Sequence, residues 1–392
     1  MIALLLDLAL YALSAAFAGI TSAASTLGPH RTWGSIAVWG YLAAAALVFV
    51  WRRRMLLTAA AWVAVAWTPM LWLAWQDRAQ EEVFVVEQSA VRLLETGTPY
   101  LGRAEIAALA EPLLGYTPYQ PGMAVFGLPH ALFGNHWWTD ARIYFGLVTA
   151  AALGYAVSHL RMDGRLVRAV QMATVIPLCA LTLATGGDDI PVLALCLLSM
   201  TLLWRGRFGW AGVVIGAAAA MKLFAWPVLV VLAFFAWRRA FWVPAIAIPV
   251  LAMLPSVLLD AGAVAENVIN FPTGHGLVNS PAASPLVGYL LAHYVAGGRV
   301  LALVLLGIAA AAIGVYLLWR RPRSVAAAAN ICAVGVLVAI LLMPATRFGY
   351  LLYPVAFAFW APCLRNEGPG DDDAEVGGGQ AEGDARESVE QG

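Results

Sequence analysis

Residues 299–323 read RVLALVLLGIAAAAIGVYLLWRRPR, an apolar run that ends in a cluster of arginines. An apolar run of about 20 residues is long enough to cross the hydrocarbon core of a bilayer as a helix. Arginines next to such a run mark the cytoplasmic side of a membrane protein. The stretch therefore predicts a transmembrane helix whose C-terminal end faces the cytoplasm.

The same pattern recurs along the chain, in which 62% of residues are hydrophobic and 12% are charged. This composition excludes a soluble globular protein. The runs predict an all-α polytopic membrane protein with about 12 transmembrane helices. Their expected positions are 2–22, 34–51, 56–75, 139–160, 168–184, 189–204, 208–221, 223–237, 240–259, 299–319, 325–343 and 346–363. The spans 208–221 and 223–237 are short enough to form a helical hairpin that does not fully cross the membrane.

The charges of the chain separate into two sets of loops. One set is rich in arginine and holds Arg52, Arg53, Arg54, Arg161, Arg165, Arg168, Arg205, Arg207, Arg238, Arg239, Arg320, Arg321 and Arg323. The other is acidic and holds Asp77, Glu81, Glu82, Glu87, Glu95, Glu105, Glu111, Asp140, Asp188, Asp189, Asp260 and Glu266. Because arginine-rich short loops stay in the cytoplasm, we expect a multi-pass cell-membrane protein with both termini cytoplasmic and any carboxylate chemistry outside.

This topology divides the chain into four parts. Residues 1–75 form N-terminal transmembrane helices, and 76–138 form a large extracytoplasmic loop with candidate catalytic acids. Residues 139–363 form the main bundle, which contains a second outer loop at 260–298 rich in Pro and Gly. The acidic, Gly-rich segment 364–392 has the composition of a disordered cytoplasmic tail.

The large outer loop contains two stretches that are typical of helices lying in the membrane interface. Residues 81–95 place apolar side chains at helical spacing and charges elsewhere. The apolar stretch 122–134 is too short to span the bilayer comfortably and is predicted to be interfacial or re-entrant.

Three acids lie where the third span leaves the membrane, namely Asp77, Glu81 and Glu82. A carboxylate that is partly desolvated at a membrane edge has a raised proton affinity and can serve as a general base. The alternative is that these acids are solvated boundary charges. A second acidic pair, Asp188 and Asp189, precedes a proline in a short outer loop. Helix capping explains one of these acids, whereas the pair together favours a cation, a sugar hydroxyl or an arginine as partner.

Lys222 is the single lysine of the chain and lies among apolar residues. An ionisable group at membrane depth is by default a functional candidate, here for binding a lipid phosphate, and the alternative is snorkelling to the interface. Arg347 is a second phosphate candidate. His275 and Asn279 are candidates for substrate contact or for packing of the second outer loop. No His or Cys spacing predicts a zinc site, and the sequence leaves open whether a divalent metal is needed.

Several blocks together resemble a known family. Glu82-Val83-Phe84-Val85-Val86, followed by Gly97-Thr98-Pro99-Tyr100, resembles the first outer loop of polyprenyl-phosphate-dependent glycosyltransferases. The blocks at 116–122, 186–191, 222–227 and 271–285 are similar, in the same order, to recurring blocks of glycosyltransferase family 87. This is the family of actinobacterial alpha-mannosyltransferases within the GT-C superfamily, and the resemblance covers roughly residues 76–290.

The resemblance implies a GT-C-like bundle with interfacial helices on its outer loops. It also implies inverting transfer of a sugar, most often mannose, from a polyprenyl-phosphate donor to a lipid or glycan hydroxyl. The family's general base is an aspartate at the start of the large outer loop, and the matching residue here is Glu82, with Glu81 adjacent and Asp77 as second choice. The expected substrate-binding residues are Tyr119, Asp188, Asp189, Lys222, His275, Asn279 and Arg347. The expected partners are the lipid-linked sugar, its acceptor and membrane lipids, with no nucleic acid and no cofactor besides the donor.

Two other classes fit some of these features. A polytopic transporter or lipid flippase also has charged groups in the membrane and broken helices, but the chain shows no internal repeat and its acids gather in outer loops. A non-catalytic membrane scaffold is the third class, because glutamate replaces the family's aspartate at the position of the base.

Overall fold

The computed structural model describes residues 1–365, and these residues are helical with no strand among them. The predicted acidic tail lies outside the described residues except for its first two positions. The first eight α-helices are α1 (Ile2–Ala24), α2 (Gly28–Leu47), α3 (Arg54–Trp62), α4 (Thr68–Trp75), α5 (Glu81–Thr96), α6 (Arg103–Ala108), α7 (Leu128–Phe133) and α8 (Ala141–Ser158). The next five are α9 (Gly164–Thr174), α10 (Pro177–Thr185), α11 (Asp189–Trp204), α12 (Phe208–Met221) and α13 (Ala225–Phe235). The last five are α14 (Arg239–Ala265), α15 (Val287–Tyr294), α16 (Gly298–Trp319), α17 (Val325–Leu342) and α18 (Leu352–Trp360).

Six helices in the described range are long and apolar enough to cross a membrane, and the bent pair α9–α10 makes a seventh if it counts as one span. The six are Ile2–Ala24, Arg54–Trp75, Ala141–Ser158, Arg239–Asn270, Gly298–Trp319 and Val325–Leu342. The protein is therefore an all-α polytopic membrane protein. The predicted count of about 12 spans is not confirmed, because α11, α12, α13 and the segment Phe348–Leu364 are shorter apolar helices.

The short helices lie at the centre of the bundle. All but two of the 16 residues of α11 are buried, and α11 packs against α8 and α12. A helix that is apolar all round belongs in a protein interior. By contrast, α16 has 22 residues, of which three are buried, so most of its apolar surface faces outward, as expected of a helix in lipid.

The two segments that were predicted to lie outside the membrane contain more helix than their composition suggests. Helix α5 matches the predicted interfacial helix, and 122–134 folds as a 3₁₀ segment (Pro121–Gly127) followed by α7. The second predicted outer loop, 260–298, is not irregular throughout. Helix α14 continues past a non-helical break at Asp260 into a π-helical turn (Glu266–Asn270), and α15 lies near the end of the loop.

Consecutive central helices run in opposite directions, and their ends define two ends of the bundle. Helix α11 is followed by Arg205 and α12 is preceded by Arg207, whereas Asp189 begins α11 and Lys222 follows α12. Helix α13 then leads away from Lys222 toward Arg238. At 1.5 Å per residue, α11 separates the two ends by about 24 Å. One end of the bundle therefore carries arginines, and the other carries the acids and the lysine.

Candidate active site

A cavity of about 470 Å³ opens at the acidic end of the bundle. Its polar lining includes most of the candidate residues from the sequence. The charged residues that line it are Glu81, Glu82, Asp188, Asp189, Lys222 and Arg347. Its remaining wall is largely apolar and includes Leu223, Leu303, Leu306 and Met343. A cavity with few convergent polar groups and an apolar wall is typical of a site for an amphipathic ligand.

Lys222 lies between the two carboxylates of the acidic pair. Its Nζ is 2.5 Å from Oδ2 of Asp188 and 2.6 Å from Oδ1 of Asp189. All three side chains are less than a tenth exposed. The lysine therefore relieves the repulsion between the adjacent acids, and the three groups together carry a net negative charge when all are ionised. Such a group does not offer a free cation to a phosphate.

Aromatic side chains enclose this ion cluster. The ammonium of Lys222 is 5.4 Å from the ring centroid of Tyr119 and 5.6 Å from that of Tyr350, distances at which a cation is attracted to a ring face. The hydroxyl of Tyr353 donates a hydrogen bond of 2.8 Å to Asp189 Oδ1. Burial, followed by the nearby Asp188 carboxylate, raises the pKa of Tyr119 well above its ordinary value, so this hydroxyl is neutral.

The backbone break at Lys222 is stabilised by a contact with the segment between α6 and α7. Helix α12 ends at Met221, whose carbonyl accepts a hydrogen bond of 3.0 Å from the backbone N–H of Gln120. A Cβ on Gly122 would lie 2.6 Å from the carbonyl oxygen of Ala220, so only glycine permits this approach. Broken backbone at membrane depth is tolerated where other groups satisfy it and where it lines a cavity.

The acidic pair follows a tight turn that contacts the start of α5. Gly187 has a φ of +87°, a left-handed conformation that favours glycine. The N–H of Gln80 donates to the carbonyl of Thr185 at 2.9 Å, and the Thr185 hydroxyl donates to Oε1 of Gln80 at 2.7 Å. These bonds place the first turn of α5, with Glu82, beside Gly186 and next to the acidic pair.

Glu82 forms an ion pair with Arg347 across the cavity, between Glu82 Oε1 and Arg347 Nη1. The side chain of Glu82 is 13% exposed and that of Arg347 is 30% exposed. Helix α5 begins at Glu81, and its dipole favours carboxylates in the first turn. The pair is thus partly accessible, unlike the Lys222 cluster.

Arg347 is positioned by the Pro-rich segment that contains Ala282 and Ser284. The N–H of Thr346 donates to the carbonyl of Ala282 at 2.9 Å, and the N–H of Ser284 donates back to the carbonyl of Thr346 at 2.8 Å. The hydroxyl of Ser284 accepts a bond of 3.0 Å from the N–H of Phe348. Hydrogen bonds therefore hold the segment between α17 and α18 on both sides of Arg347, and the Arg347 side chain lines the cavity.

Three of the sequence candidates lie away from the cavity lining. Asp77 is exposed, has a φ of +52°, and accepts a hydrogen bond of 3.0 Å from Asn135. His275 is exposed, with Nδ1 3.0 Å from the Thr273 hydroxyl. Asn279 is also exposed and does not line the cavity, although its neighbour Ser280 does. The structure therefore brings together Glu81, Glu82, Tyr119, Asp188, Asp189, Lys222 and Arg347.

Glu87, on the other face of α5, is buried outside the cavity. Its Oε1 accepts a hydrogen bond of 3.1 Å from the N–H of Ala141, and its Oε2 is 3.6 Å from Nδ1 of His130. Burial, followed by the Asp140 carboxylate, raises the pKa of Glu87 to about 7. This carboxyl therefore connects α5 to α7 and α8.

Three polar contributors to the site were not singled out from the sequence. Gln80 is an uncharged residue next to two acids, and Tyr350 follows Arg347 in an aromatic block, so neither has a distinctive local pattern. Tyr353 lies in an apolar helix and carries no local signal. In each case a polar side chain gains its role from contacts between residues that are distant along the chain.

Comparison with known protein families identifies the family of this chain. The model of glycosyltransferase family 87 matches residues 116–344, more than half of the chain. The chain is also similar to ArnT from Cupriavidus metallidurans bound to undecaprenyl phosphate, with 18% identity and a TM-score of 0.46. The apo state of the same protein gives 17% identity and a TM-score of 0.44. Both alignments cover 82% of this chain and 62% of that chain, so the chain spans less than two thirds of ArnT. No curated protein matches the chain.

Proposed function

Because the chain belongs to glycosyltransferase family 87, we propose that it transfers a sugar, most simply mannose, from a polyprenyl-phosphate donor to a lipid or glycan hydroxyl. The observation that carries this proposal is the cavity in which Glu82 and Arg347 meet beside an apolar wall. A lipid-linked sugar phosphate has three parts, namely an apolar chain, an anionic phosphate and a polar sugar. The cavity offers a complementary surface to each part.

Arg347 is the better phosphate ligand of the two cations in the cavity. Lys222 is already bound by two carboxylates, whereas Arg347 is paired with one and is more exposed. A guanidinium also binds phosphate oxygens in a bidentate manner, which an ammonium cannot do. We therefore assign the lipid phosphate to Arg347. Lys222, Asp188 and Asp189 then form a polar surface of the cavity that orients the sugar or the acceptor hydroxyl.

The transfer breaks the bond between the anomeric carbon and the phosphate oxygen, and the electron pair leaves with the phosphate. The acceptor oxygen forms the new bond from the opposite face, which inverts the configuration. Its proton passes to a carboxylate, for which Glu82 is the first candidate and Glu81 the second. A cation at the phosphate stabilises the charge that develops on the leaving group.

The charge distribution supports an active site on the extracytoplasmic side. The cavity lies at the opposite end of α11 and α12 from Arg205 and Arg207. Arginine-rich ends face the cytoplasm, so the cavity would open outside, with both termini inside. The short central helices fit this arrangement, since about 24 Å of α11 does not fill a hydrocarbon core of about 30 Å and leaves depth for the cavity.

The test is turnover of labelled polyprenyl-phosphate mannose by the purified protein in lipid, with host lipids as acceptors. We expect the wild type to transfer the label and Glu82→Gln to reduce the rate by at least about 100-fold, the usual contribution of a general base. Glu95→Gln is the matched control, because Glu95 lies on the same helix, is exposed and does not line the cavity. Equal rates in the wild type and Glu82→Gln would remove Glu82 as the base.

A further inference from the structure

In the proposed reaction Arg347 can pair with two anions, the carboxylate of Glu82 and the phosphate of the lipid. Both contacts use the same guanidinium, which extends into the cavity from the loop between α17 and α18. Glu82 is carried by a helix whose start is fixed by bonds between Gln80 and Thr185. The backbone at Arg347 is also held, but its side chain is the longer of the two and is 30% exposed against 13% for Glu82, so the guanidinium is the freer group to change its contact.

We infer that Arg347 exchanges partners during the reaction, binding Glu82 in the empty site and the lipid phosphate in the loaded site. This inference rests on the proposed function and adds a coupling between donor binding and the base. While Glu82 is paired with a guanidinium, its affinity for a proton is reduced, since an opposite charge favours the ionised form. Donor phosphate that takes Arg347 releases Glu82 and makes it a better base for the acceptor hydroxyl.

The charge changes of the reaction fit this exchange. Before transfer, Glu82 is ionised and the donor phosphodiester carries one negative charge. After transfer, Glu82 holds the acceptor proton and is neutral, while the departing phosphomonoester has gained one negative charge. The total is the same, but the negative charge has moved from the carboxylate to the phosphate. An arginine that has already moved to the phosphate is in place to stabilise the charge that arrives there.

The contacts of Lys222 explain why Arg347, and not Lys222, is the cation that changes partners. Removing Lys222 from two buried carboxylates would leave both without a cation, which is strongly unfavourable at less than a tenth exposure. Breaking the single, partly exposed contact between Glu82 and Arg347 costs less, and the phosphate compensates for it.

Binding of a polyprenyl monophosphate to the protein in lipid nanodiscs tests the exchange without requiring turnover. The polyprenol of the same chain length is the uncharged control. If Glu82 competes with the phosphate for Arg347, Glu82→Gln should bind the phosphate about tenfold more tightly, which corresponds to about 1.4 kcal/mol. Arg347→Gln should bind it at least about tenfold more weakly. Glu81→Gln removes the same charge from the cavity lining without removing an ion pair with Arg347, so we expect a smaller effect.

The double variant Glu82→Gln/Arg347→Gln separates exchange from general repulsion. If Glu82 acts through Arg347, the gain from Glu82→Gln disappears when Arg347 is absent. A gain that persists in the double variant, or a Glu82→Gln protein that binds no more tightly than the wild type, would overturn the exchange while leaving the proposed function intact. If the wild type binds the phosphate no better than the polyprenol, both the exchange and the proposed function fail.

Discussion

Replacing Lys222 with Met removes the cation from between two buried carboxylates while keeping an unbranched side chain of similar length. In the folded protein, the ammonium lies 2.5 Å from Asp188 and 2.6 Å from Asp189. At an effective dielectric constant of about 20, each contact is worth about 6 kcal/mol of Coulomb attraction. Desolvation of the three ions, at several kcal/mol each, offsets most of this energy.

The net effect of the substitution follows from what remains in the folded protein. Two adjacent carboxylates stay buried without a cation, and breaking a buried ion pair in this way costs about 3–5 kcal/mol. If one carboxyl takes up a proton, the two acids no longer repel each other, and this limits the loss of stability. We therefore expect Lys222→Met to be destabilised by about 3–5 kcal/mol at neutral pH.

The assay is unfolding of the purified protein by SDS in mixed micelles, followed by tryptophan fluorescence. The triple variant Lys222→Met/Asp188→Asn/Asp189→Asn is the matched control, because it removes the whole charge cluster and should recover much of the lost stability. If Lys222→Met unfolds at the same SDS concentration as the wild type, the ion cluster does not stabilise the fold. If the triple variant is less stable than Lys222→Met, uncompensated charge is not the cause.

Three further predictions concern other parts of the structure. Burial raises the pKa of Glu87 to about 7, so the stability that this carboxyl contributes is present below about pH 4.5 and is lost as the pH rises through about 7. Glu87→Gln should therefore lose less stability than the wild type between pH 5 and pH 8. An equal loss of stability in the two proteins would contradict this. Gly122→Ala places a Cβ against the carbonyl of Ala220 and should cost about 1–3 kcal/mol in the SDS assay; an unchanged midpoint would show that the contact relaxes freely. A cysteine replacing Glu95 should react with a membrane-impermeant reagent only from outside, and one replacing Arg323 only from the cytoplasm; the reverse pattern would overturn the topology.

The membrane fold could be predicted from local patterns of the sequence. Apolar runs identify helices without knowledge of their neighbours, and most helices lie close to the predicted ranges. The exceptions are the predicted span 168–184, which is divided into α9 and α10, and the predicted span 34–51, which begins and ends earlier as α2. The number of full spans could not be predicted in this way. Helices α11, α12 and α13 are apolar like membrane spans, but they are short because they end at a cavity inside the protein. Their depth depends on packing, which a hydropathy pattern does not contain.

The candidate site shows the same division between local and long-range information. The sequence predicts that the acidic pair at Asp188 and Asp189 needs a partner and that Lys222 is an unusual charge among apolar residues, but no local pattern links the two features. The structure joins them across 34 positions of the chain, and it joins Glu82 to Arg347 across 265. Pairings of this kind depend on how helices and loops that are distant along the chain pack together, so no local pattern reveals them.

The most direct test of the account is the fate of labelled polyprenyl-phosphate mannose in proteoliposomes that contain the protein and an acceptor lipid. Transfer predicts that free polyprenyl phosphate and mannosylated acceptor appear in equal amounts, and that both are lost in Glu82→Gln. Intact donor that moves to the other leaflet, without release of polyprenyl phosphate, would contradict glycosyl transfer and identify a lipid flippase.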